Sequence, residues 1–432
     1  MKVTRGMQRR ATKSARRAAV VGTDTLIAGV DLAKKTSVVV FMRASDKAPL
    51  GRLRIPTSPA GLLELDRRGK ELLRRMGLSR LLMGMEATGH YWKIMARTAN
   101  ELGLPYVIVQ SFVLARSREF DDLTRDKNDQ RDALLISELV AERRFTEVEL
   151  DRGAWAELRL LAEARDQRRV ERAAALHEQR ALLELVWPEL LAEIRLLDGS
   201  HVQACLSLGL PPAQIASMSL ARFARLLQRE HGERRFMGSM ATRLWAAAGA
   251  NRACDETAAA LLRVQLAAQR IEAADRAVAT LDARMAVTFE ATGLGWMRGQ
   301  IRGLGEVLLV NLLALSGDPR RFDEAGCMVK LAGSNPTERS SGQVEASGGI
   351  PRRGRRTLRL VACQAATCLA LHNPDFEAFF RHLTQRQHRQ LAPKAARVAV
   401  ANKLLRILWA MATAGQNYDS RLATRGRLAD AA

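Results

Sequence analysis

Residues 25–42, TLIAGVDLAKKTSVVVFM, decide the fold of the first part of the chain. Two apolar runs rich in β-branched residues, 25–31 and 36–42, flank the polar segment LAKK. This pattern is typical of two strands joined as a β-hairpin. Because the first run ends on Asp31, a carboxylate is expected at the end of the first strand, at the edge of a sheet.

Helical and strand-like segments alternate after this hairpin. Residues 59–77 have the periodicity of an amphipathic helix and end on glycine, whereas residues 80–86 and 105–110 are short apolar runs typical of buried strands. Residues 128–142 again have helical periodicity. The pattern predicts a mixed α/β domain, whose bounds we set at residues 23–148.

The composition changes after this domain, where glycine becomes rare and Ala, Leu, Arg and Glu dominate. Apolar residues recur at alternating steps of three and four from Val264 to Met285, which is the pattern of a coiled coil. We predict a helical coiled-coil linker over residues 149–297, whose long helices pack with each other or with a second protomer. An insert of shorter helices at about 195–255 has no predicted role. A mostly α-helical domain follows over residues 298–415.

The two ends of the chain differ from these domains. Residues 1–22 are rich in arginine and free of acids, and they lack the apolar core of a secretion signal. We predict a flexible basic arm here, although transit peptides have a similar composition. Residues 416–432 are predicted to form a loose tail.

Lysine and arginine outnumber aspartate and glutamate by 68 to 46, which favours a polyanionic partner such as nucleic acid. An anionic membrane is the rival partner, but no apolar run approaches the roughly 20 residues that a spanning helix needs. The five cysteines are scattered without a Cys-x-x-Cys pair, which fits a reducing cytoplasm and argues against structural zinc. A metal bound by this chain is therefore expected to be a hard cation held by oxygen.

A row of acids stands out in this basic chain. Asp126, Asp129 and Asp132 lie three residues apart in TRDKNDQRDALL, residues 124–135. On a helix such residues are surface neighbours, so their charges repel one another unless they are neutralised. One interpretation is a solvated helix face whose acids pair with basic neighbours, and the other is a site for a divalent metal.

Four carboxylates can converge in the predicted α/β domain. Asp31 and Glu86 end two strands, and Asp129 and Asp132 lie on the helix that closes the domain. A strand end lies at a sheet edge, where it can meet a helix packed against the sheet. Four carboxylates gathered in this way fit two divalent ions about 3.5–4 Å apart, which hold the attacking and leaving oxygens of a phosphodiester. A solvated surface remains the alternative for each of them.

The order of these acids resembles the layout of the RNase H-like nuclease fold, and of the RuvC-type resolvase domain in particular. The segments IAGVDLAKK, MEATGHYW and KNDQRDA together resemble the DEDD transposases of insertion sequence family 110, relatives of the Piv invertase. KNDQRDA is similar to the family signature K-[TN]-D-x-x-D-A, which selects Asp129 and Asp132 over Asp126. The resemblance implies that Asp31, Glu86, Asp129 and Asp132 are catalytic and bind Mg²⁺ or Mn²⁺, as two ions.

A motif in the C-terminal part resembles the transposase domain of the same family. LAGSNPTERSSGQ, followed by GGIPRRGRRTLR, is similar to G-x-x-P, then S-G, then a basic K/R-x-G-x-x-x-L-R segment. The match implies a nucleophilic serine at Ser341, with Ser340 as the ambiguous neighbour. Without the family, an ordinary flexible turn is the simpler interpretation. The basic segment is expected to contact nucleic-acid phosphates through four arginines: Arg352, Arg353, Arg355 and Arg356.

Two weaker features have plain alternatives. Residues 301–322 contain a Gly-x-Gly turn of the kind that joins helices in helix-hairpin-helix modules, where backbone amides can meet a phosphate. Such a turn is also a common link between helices. Tyr91 and Trp92 could stack on a base, but the start of a helix is the favoured interpretation.

The resemblance implies a site-specific DNA transposase or recombinase of a bacterial insertion sequence, acting in the cytoplasm at the nucleoid. Metal bound by the acids polarises the scissile phosphate, and Ser341 attacks it to form a covalent phosphoserine link to DNA. Family members share active sites between protomers, so a homo-oligomer, dimer or tetramer, is implied. They bind donor and target DNA and use a structured bridge RNA to choose both.

Two other functions stay open at this point. One is a metal-dependent nuclease or junction resolvase that uses water as the nucleophile and has no need of the serine motif. The other is a non-catalytic, basic nucleic-acid-binding protein whose acids are ordinary surface residues. Metal-dependent cleavage would separate this last class from the others.

Overall fold

A computed structural model describes residues 5–87, 89–122, 129–232, 237–252, 258–341, 344–351, 353–388 and 390–421. The chain divides into a first unit, Met1–Leu150, and a second unit, Asp151–Ala432. The described elements of the first unit are α1 (Arg5–Val20), β1 (Thr25–Asp31), β2 (Thr36–Arg43), β3 (Pro49–Pro56), α2 (Pro59–Met76), β4 (Arg80–Glu86), α3 (Tyr91–Glu101), β5 (Tyr106–Val109), α4 (Ser111–Asp122) and α5 (Asp129–Ala141).

The first unit is built on a mixed sheet with the strand order β3-β2-β1-β4-β5. β1 and β2 pair antiparallel from Leu26↔Arg43 to Asp31↔Val38, which confirms the predicted hairpin. β3 extends the hairpin antiparallel, whereas β4 and β5 lie parallel to β1 and to each other. The mixed α/β class is therefore confirmed.

Side chains alternate across β1, and each face of the sheet is covered by helices. Leu26, Ala28 and Val30 share a core with residues of α2 and α3, whereas Ile27 shares a core with residues of α5. α2 forms where predicted: Ser58 caps its first turn, and Gly77, in a left-handed conformation, ends it.

Residues 5–20 form helix α1, in the part of the N-terminus where the sequence predicted a flexible basic arm. The end of α1 is packed on the domain, because the Arg17 guanidinium donates to the backbone oxygen of Phe145 and Val21 is buried beside the α5 core. Alanine and arginine are good helix formers, so a basic composition did not exclude a helix here.

The second unit is mostly helical, as predicted, with one hairpin of strands. Its described elements are α6 (Gly153–Val186), α7 (Pro188–Glu193), α8 (Ser200–Ser207), α9 (Pro212–Ser217), α10 (Leu220–His231), α11 (Gly238–Ala250), α12 (Ala258–Glu290), α13 (Glu306–Ser316), α14 (Ala325–Ala332), β6 (Thr337–Ser341), β7 (Val344–Gly348), α15 (Arg356–His372), α16 (Pro374–Gln385) and α17 (Pro393–Ala414).

The two long helices, α6 and α12, pair with each other within the chain. Ion pairs join Arg165 to Asp282, Arg172 to Asp275 and Glu178 to Arg263. Because residue numbers rise along α6 as they fall along α12, the helices run antiparallel. Of the two packing partners that the heptad pattern allowed, the structure therefore shows the intramolecular one.

The predicted insert has a small core of its own, set on the ends of α6 and α12. Trp187, Phe223, Leu227 and Leu244 are buried together there, and the Trp187 indole donates to the backbone oxygen of Ala247 at 3.2 Å. The insert is therefore a folded helical cluster.

Two further segments of the second unit bear on the sequence predictions. The Gly-x-Gly turn before α13 follows a single 3-10 turn, Gly295–Met297, and Gly303 packs closely on His372. In the predicted loose tail, Tyr418 is half-buried and its hydroxyl donates to Asp375 at 2.9 Å. Among the described residues, no helix combines the length and apolar composition needed to cross a membrane.

Candidate active site

Asp31 and Glu86 lie side by side where the adjacent inner strands β1 and β4 end, at one edge of the first unit's sheet. The parallel pairing of β1 with β4 runs from Thr25↔Arg80 to Val30↔Met85, so Asp31 and Glu86 come next on adjacent strands. Both strands end there, as the sequence predicted for each acid. Asp31 is 9% exposed, and Glu86 is half-buried.

Helix α5 covers the face of the sheet to which these two acids belong. A Cβ on Gly29 would lie 2.4 Å from the Ala133 carbonyl oxygen, and one on Gly84 would lie 2.6 Å from Val140 Cγ2. Glycines on both strands thus let α5 approach closely. Since side chains two residues apart share a face, Asp31 and Glu86 lie on the α5 side of the sheet.

α5 runs antiparallel to β1, which brings its first turn to the acid-bearing edge. Arg143, just after the end of α5, donates to the backbone oxygen of Val21, just before β1 begins. The start of α5 therefore lies near the end of β1, and the buried side of its first turn carries Asp132. We call the carboxylates of Asp31, Glu86 and Asp132 the acid edge. Asp129 begins the helix and is exposed.

Asp132 has a cationic partner on α4. Arg118 Nε donates to Asp132 Oδ1 at 2.8 Å, and Arg118 Nη2 lies 2.8 Å from the same oxygen. The Asp132 side chain is 2% exposed and that of Arg118 20%, so this is a largely buried ion pair. Sequence reasoning missed Arg118, because its pairing depends on how α4 packs on α5.

No three described side chains of His, Cys, Asp or Glu form a group that could hold a metal ion. The donors at the acid edge are nevertheless all carboxylate oxygens, which suit Mg²⁺ or Mn²⁺. Asp31 and Asp132 are also buried, a position that favours a cationic partner for each. The donor chemistry therefore fits a hard divalent cation. Asp126 lies outside the described residues.

Ser341 is the last residue of β6, the first strand of the hairpin in the second unit. It pairs with Val344 at the end of the ladder where the chain passes from β6 to β7, and Ser340 pairs with Glu345. The backbone thus places Ser341 at the end of a strand of a β-hairpin, and its role as a nucleophile stays a prediction.

The basic segment after this hairpin does not present all its arginines to solvent. Arg355 Nη1 donates to the Leu315 carbonyl oxygen at 2.5 Å, at the end of α13. Burial, with nearby Arg159 and Arg321, lowers the pKa of the Arg355 guanidinium to about 10. Arg353 and Arg356 are exposed, and Arg352 lies outside the described residues.

The aromatic pair after Glu86 begins a helix, as favoured. Tyr91 is the first residue of α3, and Trp92 packs against the core on the α2–α3 face of the sheet. Tyr91 is half-buried, with its ring 4.2 Å from that of His90.

Comparison with known proteins gives two family matches. Residues 28–188 match the family model of DEDD transposases of the IS110 type, and residues 299–381 match that of the transposase IS116/IS110/IS902 family. A curated relative from Sinorhizobium fredii (strain NBRC 101917 / NGR234), provisionally named transposase y4pF/y4sB, is 30% identical over 146 residues. The match covers 33% of this chain and only 37% of that relative.

The mixed α/β sheet domain with acids at one edge, and the mostly helical second unit, are consistent with a DEDD nuclease-like fold of a transposase. The two family matches are to domains of the same kind of transposase, in chain order, and together they span more than half of the sequence. The chain therefore belongs to the IS110 family of insertion-sequence transposases.

Proposed function

We propose that the chain is a site-specific DNA transposase or recombinase that cuts and rejoins DNA with a metal-bound carboxylate cluster and a serine nucleophile. The observation that carries this proposal is the acid edge. Three carboxylates from two strands and a helix share one edge of one sheet, and two of them are buried. An ordinary solvated surface would leave all of them exposed.

In this proposal the first unit is an RNase H-like domain of the RuvC type. Its strand order, with an antiparallel hairpin extended by parallel strands, supports that fold. Asp31, Glu86, Asp129 and Asp132 would hold Mg²⁺ or Mn²⁺, as two ions, which when bound would polarise the scissile phosphate and stabilise its developing charge.

Ser341 would supply the nucleophile. Its Oγ attacks the phosphorus of the scissile phosphodiester and loses its proton, so that an Oγ–P bond forms. The bond from phosphorus to one bridging oxygen breaks, and that oxygen leaves on the DNA as a protonated hydroxyl. Because one phosphoester replaces another, the bond energy is kept for rejoining when a DNA hydroxyl reverses the step.

The partners would be donor and target DNA and a structured bridge RNA. The net charge of +22 supports a polyanionic partner, and exposed Arg353 and Arg356 are suited to phosphate contacts. Arg352 belongs to the same proposed contact, whereas Arg355 would support it indirectly, by capping α13. A homo-oligomer would share active sites between protomers, the long helices would act as a coiled-coil linker, and the protein would work in the bacterial cytoplasm.

Single replacement of Asp31, Glu86, Asp129 or Asp132 by Ala tests the metal-bound cluster. Each variant should lose Mg²⁺-dependent strand cleavage by at least about a hundredfold, because a lost ligand unbalances the remaining charges. Asp126→Ala is the matched control and should keep most of the activity. Cleavage would be measured on a DNA fragment that spans the ends of the element. A dead Asp126→Ala beside an active Asp129→Ala would mean that the motif register is wrong.

A metal-dependent nuclease or resolvase that uses water is the second candidate. It is favoured by the location of Asp31, Glu86, Asp129 and Asp132, which all belong to the first unit and need no residue of the second. The same cleavage assay separates the two, because water leaves free DNA ends whereas serine attack joins one end to protein.

A further inference from the structure

Two stretches that flank the segment carrying Ser341, residues 331–334 and 353–355, contact each other, and we call them the neck. The Arg355 backbone amide donates to the Leu331 carbonyl oxygen at 2.7 Å, across the neck. Arg359 Nη1 donates to the carbonyl oxygen of Ala332, also at 2.7 Å. These two hydrogen bonds hold the two sides of the neck together, and the hairpin of β6 and β7 lies between the two sides in sequence.

Two glycines make this approach possible. A Cβ on Gly333 would lie 2.6 Å from the Arg353 carbonyl oxygen, and one on Gly354 would lie 2.5 Å from that of Leu331. Both distances are far below van der Waals contact, so any side chain there would force the two sides apart. Gly333 also has a positive φ of 65°, which only glycine adopts freely.

Asn402 of α17 fixes one side of the neck to the core. Its Nδ2 donates to the Ser334 carbonyl oxygen at 2.9 Å, and the Ser334 hydroxyl donates back to Asn402 Oδ1 at 2.5 Å. Ser334 is 3% exposed and Asn402 5%, so water cannot replace these bonds. Loss of either partner would leave a buried polar group unsatisfied.

We infer that Asn402 is a positioning residue for the nucleophile, acting through Ser334 and the neck on the hairpin that ends in Ser341. β6 begins at Thr337, shortly after Ser334, and an isolated two-stranded hairpin is only marginally stable in water. The direction in which the hairpin leaves the core is therefore set at the neck. This inference rests on the proposed serine function.

Asn311 of α13 offers a matched control. It is 4% exposed and lies in the same unit, but among the described residues its Nδ2 donates only to the Val307 carbonyl oxygen of its own helix, at 2.8 Å. Asn311→Ala should therefore disturb the core to a similar degree without touching the neck.

The test compares Asn402→Ala with Asn311→Ala and wild type in the full-length protein, well below their unfolding midpoints. Hydrogen exchange of the backbone amides of β6 and β7 should accelerate at least tenfold in Asn402→Ala alone. The rate of covalent adduct formation at saturating DNA should fall about a hundredfold, because a misplacement of about 1 Å costs that much, whereas the Kd for DNA should not change. Ser334→Ala, which removes one of the two bonds, should show a smaller change in the same direction.

Unchanged hairpin exchange and an unchanged adduct rate in Asn402→Ala would overturn the inference, and so would equal effects in Asn311→Ala. If Asn402→Ala does not fold, Gly354→Ala replaces it, since it opens the neck from the other side and should also speed exchange and slow adduct formation. A wild type that cleaves DNA without any adduct would instead overturn the serine function, while the exchange data would still report whether Asn402 holds the hairpin.

Discussion

Arg118 is the one described cation that reaches the buried carboxylate of Asp132, and it holds a single oxygen of it. Arg118→Ala should lower the free energy of unfolding of the first unit by about 3–5 kcal/mol, because it leaves a buried charge unpaired. Urea unfolding in EDTA would measure this loss. If Asp132 also binds a cation, excess Mg²⁺ should recover part of the lost stability.

Arg116→Ala is the control for this prediction, since Arg116 pairs with Glu119 on the exposed side of the same helix. Such a surface pair is worth about 0.5 kcal/mol or less. Equal losses for the two variants would mean that the Arg118 contact is no stronger than a solvated ion pair.

Residue identities at the acid edge were predictable, but their partners were not. Asp31 and Glu86 stand at the ends of apolar runs, so their place at a sheet edge follows from strand boundaries alone. No such pattern marks Arg118 or Arg355, because each lies near other basic residues of the kind that is usually exposed. Their burial depends on what the fold brings to them, which is Asp132 in one case and the end of α13 in the other.

At the scale of elements, the position of α5 depends on the absence of a side chain at Gly29. A Cβ there would lie 2.2 Å from Ser137 Oγ and 2.4 Å from the Ala133 carbonyl oxygen. Gly29→Ala should therefore displace α5 and lower the free energy of unfolding by about 1–3 kcal/mol or more, as overpacking does. It should also weaken cleavage, because the first turn of α5 carries Asp132.

Gly51 of β3 is the matched control, since a Cβ on it would meet nothing within 4 Å. Gly51→Ala should leave stability unchanged or raise it by up to about 1 kcal/mol, because alanine costs less entropy in a strand. Thermal unfolding and the cleavage assay of both variants would test the close packing of α5 on β1. Similar behaviour of the two variants would contradict it.

Elements with a buried, periodic face were predictable, and those without one were not. The β1–β2 hairpin and α5 follow directly from apolar runs. β3 was missed because, of its side chains, Ile55 alone is fully buried, so no alternation marks it as a strand. β6 and β7 were missed because their segments, TERSS and VEASG, are mostly small and polar and carry no apolar alternation.

At the scale of the whole molecule, the excess of positive charge can be counted directly from the sequence, and it predicts a polyanionic partner. If it serves RNA and DNA, the purified protein should carry nucleic acid that strong salt removes. Contact with about six phosphates would weaken binding by about 10³-fold between 50 and 200 mM salt, through counterion release. Sequencing of the bound RNA should return one discrete species encoded beside the gene, whereas random fragments alone would favour the unguided nuclease.

The fold of the insert could not be predicted from the sequence. Its short helices have no long periodicity, and its core forms only when Trp187 and Phe223 meet across distant segments. The long helices of the linker were easier to predict, because a heptad pattern indicates a helix that packs along one face. The heptad pattern could not show whether each long helix packs with a helix of the same chain or with one of a second protomer. The ion pairs between α6 and α12 show packing within the chain.

The covalent link at Ser341 is the most direct test of the account. Under conditions that trap intermediates, wild type with Mg²⁺ and DNA spanning the element ends should give a denaturant-resistant protein–DNA adduct, with the DNA mapped to Ser341 by mass spectrometry. Ser341→Ala should lose the adduct and recombination but still bind Mn²⁺, and Ser340→Ala should keep both activities. Normal recombination by Ser341→Ala, or cleavage by wild type that leaves every DNA end free of protein, would contradict the serine mechanism.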